Sequence, residues 1–407
     1  MGSEMCIRDR SIAHGYQVTL AQEASRNENN LPLCRLCKSG IFLKSTNNAV
    51  VYEAFKDRLS SVSGSIETEG DLEKFIIENC LVEDIGGFLY APGGEKLSDD
   101  AKSSLGKVGL LGERNKPKFG NVKRTSNFYT GYMIPVKEVL ENVVIEPQLH
   151  SRYALGTPFV ERERRGQMIY YVELSSATYT FSFDLDSRFI GKTTFSYEHS
   201  GQNVVNDRDK RIVVSLDALN KFLTEMMFGA KKTRFLPVVE WESIAIAVSS
   251  DVWTVPSSQS RNYLKALVNK AEKFSLDDLT VHVYFNPELL EDTETYVRKT
   301  TEEIIEIMNK VISEWKTKIE EKLPAYKDKI DIDRIVKEKL ERLISERMEE
   351  LVTSSSLRYV NTIKKPYEDF LKMRDERNLK DKVKLYDSFE EAISGAIEDA
   401  KSRIKSE

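Results

Sequence analysis

The sequence ATYTFSFDL at residues 177–185 decides the fold class, because its side chains alternate between apolar and polar types. This period of two places Tyr179, Phe181 and Phe183 on one face of a β-strand and the intervening polar residues on the other. A strand with a single apolar face is typical of an antiparallel sheet that is buried on one side. The stretch therefore predicts a sheet of this kind.

The rest of the chain before residue 290 mixes strand and helix patterns. Short apolar runs predict strands at 168–174, 244–248 and 279–285, and apolar residues three and four apart predict helices at 216–228 and 261–274. The combination predicts an α+β fold with an antiparallel sheet.

Two stretches rich in Gly, Ser, Asp and Lys, 92–107 and 199–210, separate these elements. We predict that both are long surface loops, and loops of that length are usually functional or mobile.

The composition changes near residue 290, beyond which charged residues become much denser. Apolar stripes at helical spacing predict amphipathic helices at about 304–323, 332–351 and 388–404. We therefore divide the chain into a leader at 1–10, a domain at 11–290 and a charged helical region at 291–407. One hypothesis is that this region is the functional part, a helical scaffold, which deletion of residues 325–407 would test.

The overall composition excludes several classes of protein. The chain has 407 residues, a formal net charge of -5 and 40% hydrophobic residues, which is typical of a globular protein of two to three domains. Its apolar runs are far shorter than the roughly 20 residues that span a bilayer, so we expect no membrane partner. Four cysteines are too few for a disulfide framework, which favours a reducing, cytoplasmic location.

Two short motifs suggest enzymatic chemistry without completing it. Gly191-Lys-Thr193 resembles the end of a phosphate-binding loop, but the glycine required five residues earlier is replaced by Asp186. Asp184 and Asp186 lie two apart on the predicted strand and could share a divalent metal in a nuclease, although solvated acids at a strand end are the commoner explanation for such a pair. The histidines lie outside recognisable nucleophile motifs, so we predict no catalytic residues and no cofactor.

Cys34 and Cys37 have the C-x-x-C spacing that lets two thiolates bind one zinc ion. Cys80 and His14 could supply the remaining ligands. A redox pair and ordinary buried thiols are the alternative interpretations.

The segment 107–137 combines cations with aromatic residues in a chain that is acidic overall. Phe119, Phe128, Tyr129 and Tyr132 are interleaved with basic residues: Lys107, Arg114, Lys116, Lys118, Lys123, Arg124 and Lys137. Cations neutralise phosphates and aromatic rings stack on unpaired bases, so the segment predicts binding of single-stranded RNA. A second basic cluster, GAKKTR, follows at 229–234.

Several strings together resemble the archaeal branch of the CRISPR-associated DevR autoregulator family, over about residues 11–320. The strings are SIAHGYQ (11–17), LPLCRLC (31–37), VEDIGGFLY (82–90), KRTSNF (123–128), GYMIP (131–135), PQLHSRY (147–153), YVEL (171–174) and FGAKKTRFLP (228–237).

The resemblance implies the backbone subunit of a type I-A Cascade complex. Such a subunit has a modified RNA-recognition (ferredoxin-like) fold and no catalysis of its own. It forms a homo-oligomer along CRISPR RNA, contacts other Cascade subunits and presents the guide for pairing with target DNA.

The resemblance also implies which residues contact RNA, position by position along the quoted strings. They are His14, Gln17, Lys123, Arg124, His150, Arg152, Lys231, Lys232 and Arg234.

The chain departs from the family pattern in two places. Only ten residues precede SIAHGYQ, and we interpret MGSEMCIRDR at 1–10 as a non-native leader that replaces the first core strand. We expect a chain without that strand to aggregate, because unpaired strand edges promote association. The helical region after about residue 325 is longer than the family pattern implies.

Overall fold

The structure is a computed structural model. It describes residues 9–26, 28–60, 65–93, 96–137, 144–153, 167–198, 200–226, 239–286 and 355–404, with ten single positions between 306 and 338.

The chain divides into two compact units. The first comprises Met1–Pro135, Tyr179–Glu240 and Ile393–Glu407, and the second comprises Val136–Thr178 and Trp241–Ala392. Each unit combines segments that are distant in sequence. The division of the chain at residues 10 and 290 stays a prediction.

The first unit is mainly helical. Its helices are α1 (Asp9–Ala24), α2 (Arg35–Lys38), α3 (Asn48–Leu59), α4 (Glu69–Asn79), α5 (Leu81–Gly86), α6 (Asp99–Lys107) and α7 (Arg208–Glu225). Polar side chains cap several N-termini, and Thr68 and Asp71 form a reciprocal capping box at the start of α4. These caps satisfy backbone N–H groups that have no partner within the helix.

Short antiparallel strand pairs complete the first unit. Its strands are β1 (Phe88–Tyr90), β2 (Val122–Arg124), β3 (Phe128–Thr130), β4 (Ile134–Pro135), β7 (Tyr179–Thr180) and β8 (Phe183–Leu185). β1 pairs with β2, β3 with β8, and β4 with β7. Short 3-10 helices lie at Glu113–Asn115 and Ser187–Phe189.

Aromatic side chains form the centre of the first unit's core. Tyr16 of α1 is fully buried and packs edge-on against Phe128, Phe183 and Phe222, with ring centroids 4.8, 4.9 and 6.2 Å away. Its hydroxyl donates a hydrogen bond to the Ser215 carbonyl. Tyr16 therefore joins the hydrophobic face of α1 to β3, β8 and α7.

The second unit contains a strand pair and a three-stranded sheet. β5 (Val144–Tyr153) pairs with β6 (Gln167–Ser176) over ten residues, and the sheet has the order β11 (Val383–Tyr386), β10 (Thr280–Phe285), β9 (Ser243–Val248). Helices α8 (Tyr263–Lys273) and α9 (Ser355–Glu376) belong to this unit, and α10 (Phe389–Ile404) follows β11. Val281, Val283 and Phe370 lie in its buried core.

The mixture of helices and sheets agrees with the α+β class that the sequence predicted. The strands predicted at 168–174, 244–248 and 279–285 are confirmed with small shifts in their ends, as are the helices at 261–274 and 388–404. The helix predicted at 216–228 starts earlier, at Arg208. The modified RNA-recognition fold stays a prediction.

The sheet prediction was wrong in two details. Residues 177–185 form two short strands with different partners, β4 and β3, rather than one strand. β10 and β11 run parallel, because a long connection that includes α9 joins them.

The loop predictions were wrong in part, since residues 99–107 form α6 and α7 begins at Arg208 within the second predicted loop. The helices predicted at 304–323 and 332–351 lie largely outside the described residues. Of the helices in the described part of the chain, none combines the length and apolar character that a membrane span requires.

Candidate functional site

The basic segment of the first unit exposes almost all of its cations to solvent. The exposed cations between residues 107 and 123 are Lys107, Arg114, Lys116, Lys118 and Lys123. Tyr129 and Tyr132 are 51% and 54% exposed, whereas Phe119 and Phe128 are buried in the core. Half of the interleaved aromatic residues are thus available for stacking on a ligand.

Lys123 and Arg124 are neighbours in the KRTSNF string, but they face opposite sides of β2. Lys123 is exposed and pairs in register with Leu89 of β1, whereas the Arg124 side chain is only 1% exposed. Successive residues of a strand point to opposite faces, so one of two adjacent cations enters the core.

The Arg124 guanidinium is fully engaged inside the first unit. Its Nη1 donates to Glu73 Oε1 (3.0 Å) and to the Lys192 carbonyl (2.7 Å). Its Nη2 donates to Asp84 Oδ1 (2.5 Å) and to the Phe189 carbonyl (2.9 Å), and its Nε donates to the Asp84 carbonyl (2.8 Å). Arg124 therefore braces the fold, and we assign it no contact with a ligand.

A second buried arginine completes this network. Arg211 of α7 donates from Nη1 to Asp84 Oδ2 (2.9 Å) and from Nε to Asp207 Oδ1 (2.7 Å). Asp84 also accepts a bond from the Gly191 N–H. Buried charges are tolerated where each is paired and hydrogen bonded, as these are.

The Gly191-Lys-Thr193 segment is part of the same network. Gly191 has a positive φ of 74° and directs its N–H to Asp84. The next residues donate to Glu73, through the N–H and hydroxyl of Thr194 and the N–H of Phe195. The amides of Gly191, Thr194 and Phe195 thus donate to protein carboxylates, and those of Lys192 and Thr193 donate to backbone carbonyls.

The two predicted RNA contacts on α1 differ in exposure. His14 is exposed, with its ring 5.0 Å from that of Phe42. Gln17 is fully buried, and its amide oxygen and nitrogen have no hydrogen-bond partner among the described residues. His14 is thus accessible to a ligand in this structure and Gln17 is not.

The remaining predicted RNA contacts are described only in part. His150 and Arg152 lie on β5, where they pair in register with Tyr170 and Met168 of β6. Lys231, Lys232 and Arg234 lie outside the described residues.

Asp184 and Asp186 have different environments. Asp184 is on β8 opposite Tyr129, and burial raises the pKa of its carboxyl. Asp186 follows the strand and forms an ion pair with Arg188, whose hydrogen bonds lower the pKa of the aspartate. In the described part of the chain, neither residue belongs to a group of three potential metal ligands. The nuclease hypothesis therefore gains no geometric support.

The three cysteines that the sequence singled out do come together. Cys34, Cys37 and Cys80 are buried free thiols, and their sulfur atoms all lie within 4.8 Å of one another. His14 does not belong to this cluster. Cys34 precedes α2, Cys37 lies within it, and Cys80 joins α4 to α5.

Glu83 of α5 lies beside these thiols. Its Oε1 accepts hydrogen bonds from the Cys37 thiol and from the Leu43 N–H, both at 2.9 Å. Burial raises the pKa of the Glu83 carboxyl to about 8. Hydrogen bonds from Cys37 and Cys80 hold the pKa of the Cys34 thiol well below its usual value.

Sequence reasoning missed the carboxylates Glu73, Glu83 and Asp84. The string VEDIGGFLY contained Glu83 and Asp84, yet no charge pattern distinguished them from solvated acids. The available signal was the position of two adjacent acids inside an apolar run. Acids in a buried segment are rarely found without a partner, so the pair could have indicated buried, paired carboxylates.

The comparison with protein families agrees with the resemblance seen in the quoted strings. The sequence model of the CRISPR-associated negative auto-regulator DevR/Csa2 matches residues 5–268. The chain belongs to the DevR/Csa2 family. The match includes α1, the cysteine cluster, the basic segment and α7.

Two curated DevR/Csa2 relatives come from Saccharolobus solfataricus. The CRISPR-associated protein Cas7/Csa2 1 is 30% identical over 267 residues, which cover 65% of this chain and 71% of the relative. The CRISPR-associated aCascade subunit Cas7/Csa2 2 is 28% identical over 274 residues, covering 66% of this chain and 72% of the relative.

Proposed function

We propose that this protein is a CRISPR RNA-binding backbone subunit of a type I-A Cascade complex. The observation that carries the proposal is membership of the DevR/Csa2 family, together with the aCascade subunit among its relatives. On this proposal the subunit has a modified RNA-recognition fold, forms a homo-oligomer along the guide and contacts other Cascade subunits. The guide then pairs with target DNA in antiviral defence, and the protein catalyses no reaction.

The exposed face of the basic segment is the RNA surface that we propose in the first unit. Arg114, Lys116 and Lys123 are exposed, and Tyr129 and Tyr132 offer ring faces. Cations bind phosphates whatever the base sequence, and aromatic rings stack on any base. This chemistry suits a subunit that must accept guides of different sequence.

Other predicted contacts stay in the proposal as individual residues. His14, His150 and Arg152 stay in the proposed set, as do Lys231, Lys232 and Arg234, whose charge reversal should weaken binding uniformly across sequences. Arg124 and Gln17 are left out because both side chains are buried.

The test is the affinity of the full chain for fluorescently labelled single-stranded RNA at several salt concentrations. We expect the triple variant Arg114→Glu, Lys116→Glu, Lys123→Glu to bind more weakly whatever the RNA sequence. Each lost phosphate contact removes about 0.7 from the slope of log affinity against log salt, so three remove about 2. An unchanged affinity and slope would show that this segment is a solvated surface.

A matched control reverses three exposed lysines outside the segment. The variant Lys56→Glu, Lys74→Glu, Lys372→Glu makes the same change in net charge. It should retain most of the affinity if binding depends on the proposed surface. Equal losses in both triple variants would indicate a general effect of net charge.

Assembly and catalysis are tested with the same RNA. On guides of increasing length, the number of bound copies should rise stepwise in sedimentation or electron micrographs. RNA incubated with the protein and Mg²⁺ should remain intact. Cleavage that disappears in Asp184→Ala would instead support the nuclease hypothesis.

A further inference from the structure

We propose that Cys34, Cys37, Cys80 and Glu83 form a structural zinc site in the first unit. The site is independent of the RNA surface. Its ligands come from three places in the sequence: the C-x-x-C turn at α2, the junction of α4 and α5, and α5 itself.

The three sulfur atoms are close enough to bind one ion. Zinc–sulfur bonds of about 2.3 Å in a tetrahedron place sulfur atoms about 3.8 Å apart. The sulfurs of Cys34, Cys37 and Cys80 lie within 4.8 Å of one another, so small side-chain rotations bring them to that spacing. Ordinary buried thiols behave as small apolar groups and have no need to cluster.

The backbone holds the ligand-bearing segments in place. The Cys37 N–H donates a 3.3 Å hydrogen bond to Cys34 Sγ, and such outer contacts orient a ligating sulfur and tune its charge. The Leu81 N–H donates a 2.8 Å bond to the Pro32 carbonyl, which ties the segment before Cys34 to the one after Cys80. The thiols are therefore positioned by secondary structure.

We assign Glu83 as the fourth ligand, since its Oε1 lies 2.9 Å from Cys37 Sγ. It lies outside the group formed by the three sulfur atoms, so its side chain must rotate toward Cys34 and Cys80 to complete the site. Oε1 is oriented by the Leu43 N–H, whereas Oε2 is buried without a hydrogen-bond partner among the described residues. A buried carboxylate oxygen without a partner is costly, and coordination to a metal satisfies it. When the ion binds, the thiols of Cys34, Cys37 and Cys80 each lose a proton to solvent, and the hydrogen bond from Cys37 to Glu83 gives way to shared coordination.

The donor set and its surroundings favour zinc. Thiolates select zinc over the oxygen-seeking ions magnesium and calcium, and four protein ligands make a closed, structural site. The Lys44 ammonium donates to the Gly86 carbonyl and interacts with the charges of Glu83 and Cys37, so it offsets part of their negative charge.

The test measures zinc in the full chain purified from zinc-supplemented medium without chelator. We expect about one zinc per chain by elemental analysis, and a lower Tm after a strong chelator. Replacement by Co²⁺ should give the charge-transfer and visible bands of tetrahedral thiolate coordination. Protein without zinc or cobalt bands, or with a Cys34–Cys37 disulfide instead, would overturn the proposal.

Variants assign the ligands. Cys34→Ser and Cys80→Ser should lose zinc, and Glu83→Gln should bind it at least about tenfold more weakly, since even outer contacts contribute that much. Where a cysteine variant fails to fold, the cobalt spectrum of the parent and the Glu83→Gln affinity still decide the question.

Two controls separate ligation from stability. Glu73→Gln removes a buried carboxylate of the arginine network, so it should lower Tm and keep the zinc. Cys6→Ser removes the remaining cysteine and should also keep the zinc. Zinc lost in Cys6→Ser and kept in Glu83→Gln would refute Glu83 as the fourth ligand.

Discussion

Replacing Arg124 by Met tests whether this arginine stabilises the first unit or contacts RNA. The change keeps the apolar stem and removes five hydrogen bonds, two of which go to the carboxylates of Glu73 and Asp84. Removing one partner of a buried ion pair costs about 3–5 kcal/mol, because a charge is left buried without its partner. Arg211 and backbone N–H groups still contact the two carboxylates, so the loss should not exceed that range.

The expected readout is a shift in thermal unfolding followed by circular dichroism. In a unit of about two hundred residues, 1 kcal/mol corresponds to about 2–4 °C in Tm. Arg124→Met should therefore lower the Tm of the first unit by about 6–20 °C. Arg124→Lys should recover little, because a single ammonium cannot replace the planar fork of the guanidinium.

The neighbouring residue provides the matched comparison. Lys123→Met changes an exposed cation on the same strand. Its free energy of unfolding should therefore change by no more than about 0.5 kcal/mol, and its Tm should shift only by the corresponding small amount. Its RNA affinity should fall, whereas folded Arg124→Lys should bind RNA as the parent does. If Arg124→Met kept the parent's Tm and lost RNA affinity as Lys123→Met does, the bracing role would be refuted.

Two further changes test local packing and capping. Gly86→Ala would place a Cβ 2.1 Å from Nε2 of buried Gln17. This overlap should lower the free energy of unfolding, measured in urea, by about 1–3 kcal/mol. In the control Gly106→Ala on α6, the added Cβ meets open space, so the free energy of unfolding should not fall. Burial raises the pKa of the Asp71 carboxyl, but hydrogen bonds from Thr68 outweigh this effect, so the pKa in the folded protein is lowered. The Asp71 carboxylate therefore stabilises the fold at pH values above its unfolded pKa of 3.8, and this stabilisation is lost as the pH falls through the folded pKa. The Tm difference between the parent and Asp71→Asn should therefore be present near neutral pH and vanish in strong acid, and a constant difference would contradict this.

The sequence predicted the elements that depend on local pattern. Apolar periodicity located β9, β10, α8 and α10, because a half-buried strand or helix must repeat its apolar residues with its own period. Alternation at 177–185 correctly indicated extended chain. It could not indicate that the segment changes partner between β7 and β8, since pairing depends on strands elsewhere in the chain.

The site was less predictable because its contacts span long separations. In the sequence, Arg124 is one of several cations in a basic run. Its partners Glu73 and Asp84 lie 51 and 40 residues away, so no local pattern connects them to it. The C-x-x-C spacing of Cys34 and Cys37 indicated the thiol cluster, whereas no sequence pattern indicated Glu83, which lies 46 residues beyond Cys37. Composition also predicted a separate charged region after 290, and it gave no indication that a strand in that region completes a sheet.

The parallel pairing of β10 with β11 changes how the charged region must be handled in protein engineering. β10 ends at Phe285 and the adjacent strand β11 begins at Val383, so everything between them in the sequence connects two neighbouring strands of one sheet. Stopping the chain at residue 325 would remove Phe370 and Val383 from the core and leave β10 with an open edge. An internal excision of 287–354 with a short flexible linker retains α9 and β11, and it is the deletion that isolates the contribution of the excised charged residues.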